Sequence, residues 1–345
     1  MFSSTRPWRR GEPAPQAYYT FRDGLWWPVE VEGTTVPPGA AAPRSFTFTV
    51  LSWNIDFMRR CADARMAAAL DHLHGLVRDD PNPVVVMLNE ITRGDLVLIK
   101  KAEWVREGYN ITDVGTDHWE SSTYGTCMLL PHTLPLSSLF RVHYPRTSMQ
   151  RDALIADVAL PPPASGPLRL CTSHLESLQS RPPARPAQLA AAASYLREAY
   201  AGVMGGDFNA IEEFDKELPG ENGLKDAYLE MGGVEGEEGG MTWGQMAPRW
   251  DRERWGLSRM DKIVFCGGVE VVSFGRFGMD VVAEGEEVER ELGKAAGLER
   301  PWVTDHLGVR AEFRVDVGEG ESKGEGEGDG KSTKEGEGQG REAAL

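Results

Sequence analysis

The chain has 345 residues, 41% of them hydrophobic, and a net charge of −16. That length accommodates one large domain or two ordinary ones with a substantial core. No apolar run approaches the roughly 18 residues of a membrane span, the longest tight one being Val84 to Leu88. The acidic balance argues against indiscriminate binding of nucleic acid, but it is unevenly placed. Ten acids lie between Glu212 and Glu238 against Lys216 and Lys225, and the tail from Gly318 holds eight acids against four bases.

In chain order, residues 1–45 read as an N-terminal extension rich in Pro, Gly and aromatics. Arg22-Asp23-Gly24 marks a turn between two short aromatic segments, a hairpin expected to lie over the surface of the domain. Arg6, Arg9 and Arg10 are followed by Pro, Gly and Glu, which is not a secretory signal. The body alternates: Phe46–Trp53 reads as a strand, Ala64–Val77 as a helix with Met66, Leu70, Leu73 and Val77 on one stripe, and Pro83–Leu88 as a buried strand. Thr92 is placed to cap a second helix reaching about Trp104. Strands follow at Tyr124–Leu130, Asp152–Leu160 and Leu168–Thr172, the last two separated by the Pro161–Pro167 turn as an antiparallel hairpin. Ala184–Tyr200 reads as a helix, and Gly202–Asp207, Lys262–Phe265, Val269–Phe274 and Leu307–Val315 as the remaining strands. Hairpins and helix-linked strands together imply a mixed, layered α/β domain over residues 46–316. The Gly/Glu-rich tail, 317–345, cannot bury apolar surface and is expected to be disordered. Cys61, Cys127, Cys171 and Cys266 show no metal or disulfide spacing, as expected for reduced thiols in an intracellular protein.

Six segments put a carboxylate, amide or imidazole at the end of an apolar run: Leu51–Asp56, Val86–Glu90, Thr172–Ser177, Gly205–Asn209, Arg259–Ile263 and Thr304–Gly308. Oxygen and imidazole groups gathered at strand ends suit a hard divalent metal and a phosphate. Glu90 at the end of a buried strand is costly to desolvate unless a cation meets it, which makes it the principal metal-ligand candidate with Asn54 beside it. Gly205-Gly206-Asp207-Phe208-Asn209 places Asp207 and Asn209 on one side of an extended segment, one to orient a water and one to donate to a phosphoryl oxygen; an Asx turn is the plainer alternative. Asp305 is placed to complete the metal site and His306 to stabilise charge, with Asp261 as the partner that fixes its tautomer; His174 is a second phosphate contact. No serine sits in a nucleophile elbow, and the cysteines lie in apolar strands, so serine or cysteine nucleophiles are disfavoured.

This order of segments resembles the endonuclease/exonuclease/phosphatase superfamily of metal-dependent phosphodiesterases. Within it, Trp53-Asn54-Ile55-Asp56, Thr172–Ser177, the strand led by Tyr124, Gln150-Arg151, and Thr242-Trp243 are most similar to the 5′-tyrosyl-DNA phosphodiesterases. The resemblance covers Phe46 to Val315 and implies a four-layer α/β sandwich, with two packed mixed or antiparallel sheets flanked by helices. It further implies Mg²⁺, or Mn²⁺, as cofactor and hydrolysis of the 5′-phosphotyrosyl bond between DNA and a trapped topoisomerase, by a nuclear or cytoplasmic monomer. The implied ligand is a single-stranded or frayed DNA 5′ end with its topoisomerase remnant. Carried over by motif, Glu90, Asn54 and Asp305 serve the metal, Asp207 positions water, and Asn209, His174 and His306 hold the phosphate. Tyr124, Arg151, Ser177 and Trp243 line the substrate groove, Trp243 as a base-stacking surface and Arg151 as a phosphate partner. The chain departs from that pattern at Ile211-Glu212-Glu213 and Leu130-Pro131, where cations are usual, and at Asn89 and Thr304. Fewer cations imply weaker non-specific DNA affinity. The competing expectations are another nuclease or phosphatase of the superfamily and a catalytically inactive interaction scaffold.

Overall fold

The computed structural model describes residues 8–31, 43–293 and 297–318. The strands are β1 (Pro13–Pro15), β2 (Tyr18–Arg22), β3 (Leu25–Val29), β4 (Ser45–Asn54), β5 (Val84–Ile91), β6 (Tyr109–Ile111), β7 (Gly125–Pro131) and β8 (Leu136–His143). They continue with β9 (Asp152–Val158), β10 (Leu168–Ser173), β11 (Ala201–Asp207), β12 (Lys225–Asp226), β13 (Asp261–Gly267), β14 (Val269–Phe277) and β15 (Gly308–Asp316). The helices are α1 (Ala62–Asp79), α2 (Arg93–Lys101), α3 (Glu103–Gly108) and α4 (Arg185–Glu198). Four short ones follow: α5 (Leu218–Glu221), α6 (Ala227–Glu230), α7 (Arg249–Trp255) and α8 (Glu286–Leu292).

One sheet runs β1-β8-β9-β10-β11-β13-β12 and the other β14-β15-β4-β5-β7-β6-β2-β3. Each is antiparallel except for a single parallel pair, β10–β11 in the first and β4–β5 in the second. A parallel pair needs a crossover, and α4 and α1 supply the two. Phe48, Val50, Val85, Met87, Leu170, Val203, Ile263 and Phe313 pack in the inner core. Along each strand the alternate residues turn outward. There Leu51, Trp53, Val86 and Leu88 meet Met66, Leu70 and Leu73 of α1, while Cys171 and Met204 meet Leu189, Ala193 and Leu196 of α4. The result is the expected four layers.

Thr92 caps α2 through a reciprocal bond with Asp95, as its position suggests, but the expected single helix to Trp104 breaks at the extended Ala102 and restarts as α3. The Arg22–Leu25 turn is a hairpin with Asp23 and Gly24 both at positive φ, the backbone a two-residue turn requires. The segment before residue 46 does more than cover the surface: β1 extends one sheet through β8, and the β2–β3 hairpin extends the other through Tyr19 and Ile111. The expected disordered tail falls outside the described residues beyond Gly318. No helix among the described residues is long and apolar enough to cross a membrane, and none of the four cysteines is paired. Much of the acidic stretch 212–238 is neutralised from within. Arg185 binds Glu212 and Asp215 at 3.0 and 2.7 Å, and buried Arg259 and Lys262 meet Asp226 and Glu235.

Candidate active site

The same alternation that fills the inner core delivers polar groups at one rim of the sandwich. Phe48 and Val50 are followed by Ser52 and Asn54, Val85 and Met87 by Asn89, Leu170 by Thr172, and Val203 by Gly205 and Asp207. The sheets approach closely there because Gly205 faces Ser52 and Met87. A Cβ at Gly205 would lie 3.0 Å from the Met87 sulfur, and one at Gly206 only 1.9 Å from the Ser173 carbonyl oxygen. Both glycines lie within β11 and serve close packing. In the gap so made, Asn54 Nδ2 donates to Asp207 Oδ2 at 2.9 Å across the two sheets. Below it, Asn89 donates to Thr172 Oγ1 and accepts from the Asp207 amide. Asn89 and Thr304, both departures from the family pattern, are therefore structural ties; Thr304 donates to the Asn54 carbonyl.

All twelve residues singled out in the sequence join one connected group. Asp207 Oδ1 accepts from the Asn209 amide at 2.8 Å, an Asx turn that coexists with the site, while Oδ2 lies 3.2 Å from His174 Nε2 and 3.9 Å from His306 Nε2. These two imidazoles hold the Asp207 carboxyl well below the usual range despite its burial. Arg151 Nη1 lies 2.7 Å from His174 Nδ1, so that nitrogen must accept and Nε2 must carry the proton. Burial, then the Arg151 charge, push His174 down to about 4, so it is neutral. Arg151 also donates to Ser177 at 2.9 Å and lies 5.1 Å over the Tyr124 ring; it is buried, not a surface ion-pair residue. Tyr124 stacks on Phe57 and donates to the Met149 carbonyl. Asn209 spends part of its amide on the Leu175 carbonyl.

His306 Nδ1 lies 2.8 Å from Asp261 Oδ2, which orients the ring and leaves Nε2 3.9 Å from both Asp207 and Asp305. Although burial opposes it, the surrounding Asp261, Asp207 and Asp305 hold His306 well above the ordinary imidazole value, as an imidazolium. Trp243 Nε1 donates to Asp305 Oδ2 at 2.9 Å, so the indole N–H positions that carboxylate.

Sequence reasoning missed two groups here. Asp56 stood in a quoted segment but was given no role. Burial and Asp305 raise its carboxyl, and burial and Asp56 in turn push Glu90 up to about 7. Arg65, which the sequence did not single out, is buried and donates to the carbonyls of Ile55, Asp56, Arg59, Arg60 and Val303. It ties the loop after β4 to the segment that bears Asp305. Only the long-range partners reveal it. Asp56, Glu90, Gln150, Leu178 and Asn209 all adopt left-handed φ of 48° to 63°. Such backbone is uncommon outside glycine and marks places held against local preference.

Asp305 raises Asp56 and Asp56 raises Glu90, a repulsion that a divalent cation relieves, while Asp305 itself is held low by His306, Arg59 and the Trp243 indole. Asp207, Asp261 and His306 also bring ligand atoms within 4.8 Å of one another. Their facing atoms are committed, however, to the Asp261–His306 bond and to the Asn54 and His174 contacts.

Fold and site together define a phosphoester hydrolase built on a two-sheet sandwich. The sequence matches the family described as Endonuclease/Exonuclease/phosphatase family over residues 51–306, and the chain belongs to that family of divalent-metal hydrolases. No curated protein matches it. Among solved structures, truncated Caenorhabditis elegans TDP2 is similar at 22% identity and TM-score 0.58, over 78% of this chain and 97% of that one. D. rerio TDP2 complexed with a single-strand DNA product has 21% identity and TM-score 0.57, over 77% of this chain and 98% of that one. ANGEL2, a 2′,3′-cyclic phosphatase, has 16% identity and TM-score 0.55, over 79% of this chain and 97% of that one. At these identities the likeness establishes the fold.

Proposed function

We propose that the protein is a Mg²⁺- or Mn²⁺-dependent phosphodiesterase that hydrolyses the bond between a tyrosine and a DNA 5′-phosphate. It acts as a monomer on nuclear DNA ends left with a topoisomerase remnant. The observation that carries this reading is one connected site with a carboxylate side (Glu90, Asp56, Asp305) facing an imidazole and guanidinium side (His174, Arg151, His306). A phosphodiester is matched chemically by such a pairing, with a metal on the carboxylate flank and donors on the other. Tyr124, Arg151 and Ser177 on one wall, and the D. rerio TDP2 structure with its single-strand DNA product, support a DNA end as the ligand.

Glu90 and Asp305, with Asn54 beside them, would hold the cation, an oxygen donor set suited to Mg²⁺. When bound there, the metal supplies Lewis-acid stabilisation of the leaving oxygen. Asp207 stays ionised and accepts a hydrogen bond from the attacking water, orienting it toward phosphorus; its low basicity makes it an orienting group, not a strong base. His306, gripped by Asp261, neutralises charge that develops on the phosphoryl oxygens. Neutral His174 and Asn209 complete the phosphate cradle. The departing phenol has a pKa of roughly 10, so it leaves without the strong general acid that a sugar hydroxyl needs.

The test is Mg²⁺-dependent release of tyrosine from a 5′-phosphotyrosyl oligonucleotide by wild type and Glu90→Ala. A 3′-phosphotyrosyl strand, an abasic-site duplex and a 2′,3′-cyclic phosphate run alongside. Turnover confined to the 5′-tyrosyl strand and lost in Glu90→Ala is the expected result. Metal-dependent cleavage of only another substrate overturns the substrate while keeping the site.

A further inference from the structure

We infer that residues 8–16 of the N-terminal extension are a positioning arm for the active site, holding the wall that carries Tyr124 and Arg151. The inference rests on the reading of that wall as the one that takes a DNA end. Tyr124 and Arg151 come from separate segments, the loop 112–124 before β7 and the turn 144–151 between β8 and β9. They meet through the Arg151 guanidinium over the Tyr124 ring and the bond from the Tyr124 hydroxyl to the Met149 carbonyl. Beside that meeting point the two segments face each other across a gap, with Trp119, Glu120 and Ser121 on one side and Gln150, Arg151 and Asp152 on the other. A gap lined largely by polar groups gives little apolar packing to fix the spacing of its walls, so directed ties must do it.

The arm supplies such ties to both segments. On the loop, the Arg10 guanidinium donates to buried Glu120, and Gln16 Nε2 donates to the Thr112 carbonyl at 2.9 Å. Glu120 lies four residues before Tyr124, and the residues between close on themselves through Ser121 Oγ, which accepts from the Thr123 amide. Trp119 lies against Gly125, where a Cβ would meet the indole at 2.2 Å, so the loop is seated on the first residue of β7. On the turn, the Gly11 amide donates to the His143 carbonyl at 2.7 Å, and Trp8 stacks on the His143 ring at 4.3 Å. His143 is the strand partner of Asp152, and the Tyr144 amide donates to the Arg151 carbonyl. Gln16 joins the two sides, because Arg141 donates to it at 3.1 Å while binding Asp152 at 2.9 Å and Asp113 at 2.8 Å. None of these ties involves Asp56, Glu90 or Asp305, so the arm acts on the substrate wall and not on the metal side.

The full chain is tested as wild type, Trp8→Ala, Arg10→Ala and Arg10→Lys, by hydrolysis of a 5′-phosphotyrosyl oligonucleotide and by amide hydrogen exchange. A wall that binds ground state and transition state alike sets KM and leaves kcat alone. Trp8→Ala and Arg10→Ala should therefore raise KM about tenfold, well inside the roughly 100-fold that a 1 Å misplacement can cost, with kcat and the Mg²⁺ requirement unaltered. Arg10→Lys, which keeps a cation at Glu120, should recover most of the loss. Exchange should quicken in 112–124 and 144–151 while 51–56 and 84–91 keep their wild-type protection. A fall in kcat at unchanged KM overturns the inference. So does exchange that quickens throughout the domain, or failure of the alanine variants to fold, either of which assigns the arm to general stability. If no 5′-tyrosyl strand is cleaved while exchange quickens in those two segments alone, the arm stands and the proposed substrate falls. If both alanine variants cleave 5′-tyrosyl strands with wild-type KM, the arm falls and the substrate stands.

Discussion

The units β4–α1–β5 and β10–α4–β11 share one connectivity and end at the same rim, yet they furnish opposite chemistry. Each is a parallel pair flanked by antiparallel neighbours, β15 and β7 for the first, β9 and β13 for the second. The first ends in Asn54, Asp56 and Glu90, with Asp305 at the start of its neighbour; there Asp305 raises Asp56 and Asp56 raises Glu90, while Asp305 itself is held low by His306, Arg59 and the Trp243 indole. The second ends in His174 and Asp207, with Arg151 and Asp261 at the starts of its neighbours, and there every carboxylate meets an imidazole or amide. Topology sets where the functional groups sit, and the residue types at the strand ends set the sign of the charge. The cleft between the halves is suited to a phosphate because it is asymmetric, with the raised carboxyls of Asp56 and Glu90 on one side and imidazole and guanidinium donors on the other.

That contrast can be broken. Glu90→Ala should lower turnover about a thousandfold at fixed metal, as expected when several kcal/mol of metal stabilisation are lost, and part of the loss should return at high Mg²⁺. Asp207→Asn should lower turnover comparably with no recovery by metal. Titrating Mg²⁺ for both variants separates the halves, and equal metal rescue would abolish the distinction.

Arg65→Met should leave five loop carbonyls without their donor and cost about 3 kcal/mol or more of stability. Denaturant unfolding would read the loss, and an unchanged midpoint would show the loop held by other means. Asp261→Asn, which keeps His306 in place but weakens the group that orients and charges it, should cost about 10–100-fold in turnover with an unaltered Mg²⁺ requirement.

The smallest effect concerns the segment leading to Arg151. Burial raises the Glu176 carboxyl, but bonds from Ser148, Thr147 and Gln188 outweigh it and leave the group below its ordinary 4.5. A depressed carboxyl stabilises the fold above its unfolded value and loses that contribution as pH falls through the folded value. Glu176→Gln should therefore be less stable than wild type by about 1 kcal/mol at neutral pH. The gap should close as pH drops from about 5 through 4 and below, and a gap independent of pH would assign the effect to packing.

The strands that carry the six segments were legible because they couple an apolar run to a polar end, and periodicity marks such runs well. β8 was not, since its buried Arg141 and His143 interrupt the apolar run that marks a strand. Arg141 is satisfied by Asp113, Asp152, Thr126 and Gln16, which no local window contains. Strands β1 and β6 are three residues each, too short to show a period. Within the site, the oxygen and imidazole inventory was readable, whereas Asp56 as a source of repulsion and Trp243 as the holder of Asp305 were not.

The sequence by itself determined the layered α/β fold and the set of residues brought to one rim, because alternation along a strand and the strand's end are local properties. Only the tertiary structure decided which carboxyls are pushed up and which are held low, which nitrogen of His174 bears a proton, and that Gly205 lets the sheets close enough for Asn54 to reach Asp207. Those depend on distances between strands that are 33 to 253 residues apart in the chain, and electrostatic and hydrogen-bond energies are set by such distances and by burial, not by order along the chain.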